Sequence, residues 1–233
     1  MGKQEKYYAV IGDIVSSRGL SDRSCVQKTL KSVLDQINRK FENSVAAKFL
    51  ITLGDEFQGL MYADCEASPI RIAFEIRRLM HPVKIRISIG YGGLSTEVDP
   101  SFAIGADGEA FYIARDGIES LRTIEKRGGD VAKGGILVGT GGGRWDKYLN
   151  EILSLSTTLE GAWTERQREI ASEYTRLCLA NEKKTQLELA ESFGISQGSL
   201  SKCLTVSRAR EYAKGLLTAS EMLKTICLTE DEK

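Results

Sequence analysis

Acid stands at two strand ends near the start of the chain. Asp13 closes the apolar run "YYAVIGDIV", residues 7–15. Asp55 and Glu56 interrupt "KFLITLGDEFQGLMYA", residues 48–63, where Gly54-Asp55 joins two strand-like runs. Glycine in first place of a two-residue connection suits a tight hairpin, because it tolerates positive φ. With the first strand and the hairpin side by side in one sheet, Asp13 comes close to Asp55. Carboxylates converging at strand ends suit Mg²⁺, which takes one or two protein carboxylates and fills its octahedron with water and phosphate oxygens. Two such ions could clamp the attacking and leaving oxygens of a phosphoryl or nucleotidyl transfer. Pattern alone leaves another reading equally open, in which Asp55 serves the turn and Asp13 merely ends a strand.

The elements that must position these acids follow from periodicity. The run at 7–15 reads as a strand buried on both faces. Val26, Leu30, Val33, Leu34, Ile37 and Phe41 recur at three- and four-residue steps, which predicts an amphipathic helix against a sheet. "KFLITL" and "EFQGLMY" follow as a hairpin, then a helix over 68–80 with Ile70, Ala73, Phe74 and Met80 inward. In "KIRISIGYG" the residues Ile85, Ile87, Ile89 and Tyr91 alternate with Lys84, Arg86 and Ser88, the pattern of a half-buried strand. A third helix fits "GEAFYIARDGIESLRTIE" and a short strand fits "GGILVG". The order predicts an α+β protein, with a ferredoxin-like βαββαβ core over residues 1–150. The glycine-rich "GTGGGRWDKY" lacks the Gly-Lys-Ser/Thr of a phosphate loop, and reads as a turn near a domain boundary.

Strand signals cease after Ser154. Residues 151–233 read as a small all-helical domain joined by a linker near "LSTTLEGA", residues 155–162. Within it, "QLELAESFGISQGSLSKCLT", residues 186–205, has the spacing of a DNA-binding helix-turn-helix. Ala190 is the small residue where two helices cross, and Gly194 relieves φ at the turn. Leu189, Phe193, Ile195, Leu200 and Cys203 take the inward positions. Ser196, Gln197, Gly198, Ser199, Ser201 and Lys202 are left for a major groove. Residues 183–214 carry six basic and three acidic side chains, a modest excess for neutralising phosphates. A helical hairpin serving oligomerisation is the other use of such a segment.

Composition narrows the classes. In 233 residues, 42% are hydrophobic and 27% charged, with a formal net charge of +0, so no global field recruits nucleic acid or an anionic membrane. Five scattered cysteines without a CxxC pair read as free thiols in a reducing compartment. With no leader-like segment and no run of ~18 apolar residues, a cytoplasmic protein without a membrane partner is expected. His81, the single histidine, excludes histidine-based metal clusters and reads as a loop residue.

"VIGDIVSSR" followed by "ITLGDEFQGL" resembles the SatD family of bacterial proteins. Both segments also resemble the metal-binding stretches of adenylyl-cyclase-type and GGDEF domains. "IRISIGYGGLST" and "GADGEAFYIARDGIESL" are similar to the strand and helix that follow there. The resemblance implies a site for Mg²⁺ or Mn²⁺ on Asp13, Asp55 and Glu56. It also implies a nucleoside triphosphate or other nucleotide near Ser16, Ser17, Arg18 and Arg115, and a homodimer. The chain departs from the cyclase pattern in several places. Tyr112 stands at the ribose-orienting Asn, Asp116 at the transition-state Arg with Arg115 one residue early, and Ile51, Thr52 and Leu53 where a base-selecting Lys is expected. Two functions follow as expectations. One is a regulator that couples a metal-dependent nucleotide site to a DNA-binding helix-turn-helix. The other is an active nucleotidyl cyclase or nucleotide hydrolase, with Arg115 or Arg122 supplying the missing charge and the tail serving targeting or oligomerisation.

Overall fold

The run at residues 7–15 forms β1, Lys6–Ile14, the middle strand of a five-stranded sheet. In the computed structural model, which describes residues 5–15, 22–127, 134–141 and 143–231, the other strands are β2 (Val45–Leu53), β3 (Glu56–Tyr62), β4 (Ile85–Gly93) and β5 (Ile136–Gly139). Their order is β2-β3-β1-β4-β5, antiparallel throughout except for the parallel β4–β5 pair. Gly54, at φ +66°, and Asp55 form the two-residue turn between β2 and β3. Asp13 therefore lies opposite Glu56 on one side and Arg86 on the other.

Helices cover both faces. On one, α1 (Arg23–Lys40) buries Leu30, Val33, Leu34 and Ile37, and α2 (Pro69–Met80) buries Ile70, Ala73, Phe74 and Met80, the stripes the sequence predicts. Asp22 caps α1 by accepting from the Cys25 amide at 2.9 Å, and Ser68 with Pro69 opens α2. On the other face, α3 (Glu109–Lys126) lies directly over β4. That placement corrects the half-buried reading of β4, which is buried along its whole length. Small residues make the close approach feasible. A Cβ on Gly90 would collide with the backbone of Ala110 and Ala114, and one on Gly117 with the side chain of Ser88.

The helical remainder comprises α4 (Arg144–Gly161), α5 (Glu165–Leu179), α6 (Gln186–Ser192), α7 (Gln197–Val206) and α8 (Ala209–Asp231). Residues 150 and 151, where two domains were expected to meet, fall inside α4, and the expected linker is the second half of that helix. Its hydroxyls are accommodated within the helix. Ser156, Thr157 and Thr158 donate to the carbonyls of Ile152, Leu153 and Ser154 at 2.9–3.1 Å. α4 also closes the sheet, because the Asn150 amide brackets the backbone of Val138 on β5 at 2.7 and 2.8 Å. One apolar cluster runs from Tyr8 and Phe57 through Phe74 to Trp163, Tyr212 and Leu223. Eight α-helices and one mixed sheet among the described residues make this an α+β protein, and none of those helices is long and apolar enough to cross a membrane.

Gly90→Ala should lower stability by about 3 kcal/mol or more, since backbone rather than a movable side chain occupies the space. Chemical denaturation measures it. Glu75, buried on α2, gives a second test. Burial pushes its carboxyl up, but Lys40 at 2.6 Å and Arg78 at 2.7 Å outweigh this and hold it below its ordinary 4.5. A depressed carboxyl contributes stability above the unfolded value, and that contribution is lost as pH falls through the folded one. From about pH 4.5 downward, wild type should lose stability more steeply than Glu75→Gln, as read from unfolding midpoints across pH.

Candidate functional site

The acids at the sheet's end meet a row of arginines. Asp13 is buried, with its side chain on the face covered by α3. One oxygen, Oδ1, accepts from Arg86 Nε at 2.7 Å. The other, Oδ2, accepts from Arg122 Nε at 2.8 Å and Nη2 at 2.6 Å. Arg86 extends the chain through Nη1 to Glu125 Oε2 at 2.7 Å, and Arg122 Nη1 donates to Glu119. Glu56, across from Asp13 on β3, lies 3.5 Å from Arg122 and 3.7 Å from the largely exposed Arg115. Burial works against the charge on Arg122, yet the bonds and charges of Asp13 and Glu119 raise its pKa above the ordinary arginine value.

The sequence-predicted acids thus separate. Asp13 and Glu56 come together as cross-strand partners, whereas Asp55 stays in the turn, half-buried, its carbonyl accepting from the Ile14 amide at 3.3 Å. Arg115 does reach the cluster. Ser16, Ser17 and Arg18 lie outside the described residues. Arg86 was missed as a site residue, and Arg122 was expected only as a substitute charge beside Arg115, not as the partner of Asp13 that it is. The signals were present: Arg86 sits on the polar side of the alternating β4 pattern, and Arg122 lies two turns beyond Arg115 on one helix face.

A divalent ion fits this arrangement poorly. It needs open carboxylate lone pairs, but both Asp13 oxygens already accept charge-assisted bonds, and a cation there would sit against two guanidinium groups. Among the described residues, no group of three or more His, Cys, Asp or Glu side chains is placed to hold one ion. What the cluster does hold is α3, tied to β1, β3 and β4 at once.

The second candidate is the surface built by α6 and α7. Thr185 caps α6 in a capping box with Glu188, and Ser196 caps α7 by accepting from the Ser199 amide at 3.1 Å. Between them Gly194 turns the chain at φ +64°, and the Ile195 amide donates back to the Ala190 carbonyl at 3.1 Å. Leu189, Ala190, Leu200 and Leu204 are fully buried, with Phe193, Ile195 and Cys203 packed against them. Arg166 of α5 braces the turn by donating to the Phe193 carbonyl at 2.8 Å. Gln197, Gly198, Ser199 and Lys202 are exposed and Ser201 is half-buried, while the Ser196 hydroxyl is spent on the cap. Lys183, Lys184 and Arg208 lie exposed nearby in sequence, at either end of the pair.

Fold and sites together define an α+β protein with an arginine-satisfied acidic cluster at one sheet end and a capped pair of short helices in its tail. The family model of the SatD family matches residues 7–223, and the chain belongs to that family. No curated protein matches the chain.

Asp13→Ala leaves two guanidinium groups facing each other without their shared anion, so it should cost about 3–5 kcal/mol. Glu56→Gln removes only the longer contacts and should cost less than about 1 kcal/mol. Urea unfolding of the two variants beside wild type separates these values.

Proposed function

We propose that the protein is a DNA-binding regulator that reads the major groove with α7. The observation that carries this reading is the capped α6–turn–α7 pair, whose apolar residues face inward while Gln197, Ser199 and Lys202 project from the first two turns of α7. A helix that enters a groove contacts bases through its N-terminal turns, and short polar, non-acidic side chains suit that position. No acidic residue lies in the first turn of α7. The local basic excess is modest, so binding by two copies to paired half-sites is the form the reading takes.

The sheet then serves as the regulatory half. Its β4-β1-β3-β2 order with α1 and α2 on one face supports a ferredoxin-like, cyclase-type reading of the core. Arg115, exposed beside Glu56 with only a 3.7 Å ion pair, supports a nucleotide phosphate contact there. The alternative enzymatic reading needs two metals on Asp13, whose oxygens are already committed to arginine.

Fluorescence anisotropy with a labelled pool of duplex DNA tests the proposal. Wild type should bind with affinity that falls steeply as salt rises. Lys202→Glu should weaken binding at least about tenfold by putting a negative charge against phosphate. Absence of saturable binding at low salt, or equal binding by Lys202→Glu, contradicts the reading.

A further inference from the structure

A site that looks acidic in sequence has each of its carboxylates paired with a guanidinium group in the fold. Seven side chains take part: Asp13, Glu56, Glu119 and Glu125 against Arg86, Arg115 and Arg122. The guanidinium of Arg122 lies within 2.6 Å of Asp13 and 3.5 Å of Glu56, between the two carboxylates that a bridging cation would have to share. Arg86 takes the remaining oxygen of Asp13 from the opposite strand. Both arginines are held by packed elements, one near the start of a fully buried strand and the other on the helix that covers it.

We infer that Arg86 and Arg122 are the built-in cations of this site, replacing a divalent metal between Asp13 and Glu56. A planar guanidinium with fixed donors satisfies a buried carboxylate without needing water or phosphate to complete a coordination shell. The site's charge balance is therefore independent of Mg²⁺ and Mn²⁺. Phosphoryl or nucleotidyl transfer by two metals is excluded at this position while the arginines stay in place. The inference is separate from the DNA-binding proposal, and neither falls with the other.

Titration of Mn²⁺ into the full chain, followed by the electron paramagnetic resonance signal of the free ion, tests it. Wild type should leave the signal unreduced. Arg122→Ala, which leaves an Asp13 oxygen and Glu56 open, should reduce it with at least about tenfold higher affinity than any wild-type effect. Circular dichroism and unfolding midpoints establish that the variant is folded. Saturable Mn²⁺ binding by wild type that is lost in Glu56→Gln overturns the inference. So does identical behaviour of wild type and Arg122→Ala, because the guanidinium would then not be what keeps the cation out. Should Arg122→Ala not fold, the wild-type and Glu56→Gln titrations decide alone: saturable binding abolished by the substitution overturns the inference, and its absence upholds it.

Discussion

A carboxylate buried at the end of a central strand has to be balanced, and that requirement organises the sheet half of this protein. Asp13 is 3% exposed, so bonded cations have to stand in for the water its carboxylate has lost. Arg86 can supply one because β1 and β4 are paired in a register that sets it opposite Asp13. Arg122 can supply the other only because α3 lies close enough to β4 for its last turns to reach the strand ends. That approach depends on Gly90, where the strand nearly touches the helix backbone, and on Gly117, where the helix nearly touches the Ser88 side chain. Strand register, glycine placement and charge neutralisation are thus one constraint seen from three sides.

A similar arrangement joins the sheet half to the tail. Glu160, near the end of α4, accepts from Arg168 at 3.0 Å and from the Tyr212 hydroxyl at 3.1 Å, and pairs with Arg77 of α2 at 2.9 Å. Burial disfavours the Arg77 charge, but Glu160 and Tyr212 raise its pKa above the ordinary value. Around this anion the rings of Trp163 and Tyr212 meet at 4.8 Å, and the Trp163 indole donates to the Ser207 carbonyl at 2.6 Å. Ser207 ends α7, so the candidate reading helix is fixed to the same buried cluster that reaches α2 and, through it, the sheet.

Local signals were legible in the sequence, and long-range partners were not. The stripe of α1, the Gly54-Asp55 turn and the Leu189–Ala190–Leu200 core of α6 and α7 all follow from period and turn chemistry. The alternation of β4 was also readable, but not what covers its polar side, since nothing in an alternating pattern announces a helix arriving from residues 109–126. The sequence pairs Asp13 with Asp55 and leaves Glu56 as the assisting acid, whereas strand register sets Glu56 opposite Asp13 and keeps Asp55 in the turn. The neutralisation of these acids was not legible, because Arg122 is far away in the chain and reaches Asp13 only through the packing of α3. The linker expected at 155–162 failed for a different reason. Serine and threonine suggest a loop, yet here their hydroxyls bond to the preceding helical turn, and Leu153 and Leu159 on either side of them pack into a continuous core.

If the tail reads DNA from a rigid, sheet-anchored α7, amide hydrogen exchange should reveal it most directly. Exchange of the free protein is compared with exchange in excess duplex DNA at low salt. The account predicts new protection concentrated over residues 185–206, with the amides of Asp13, Arg86 and Arg122 unchanged by DNA or by added Mg²⁺. Protection confined to the sheet end, or its appearance there only when Mg²⁺ is present, would contradict it.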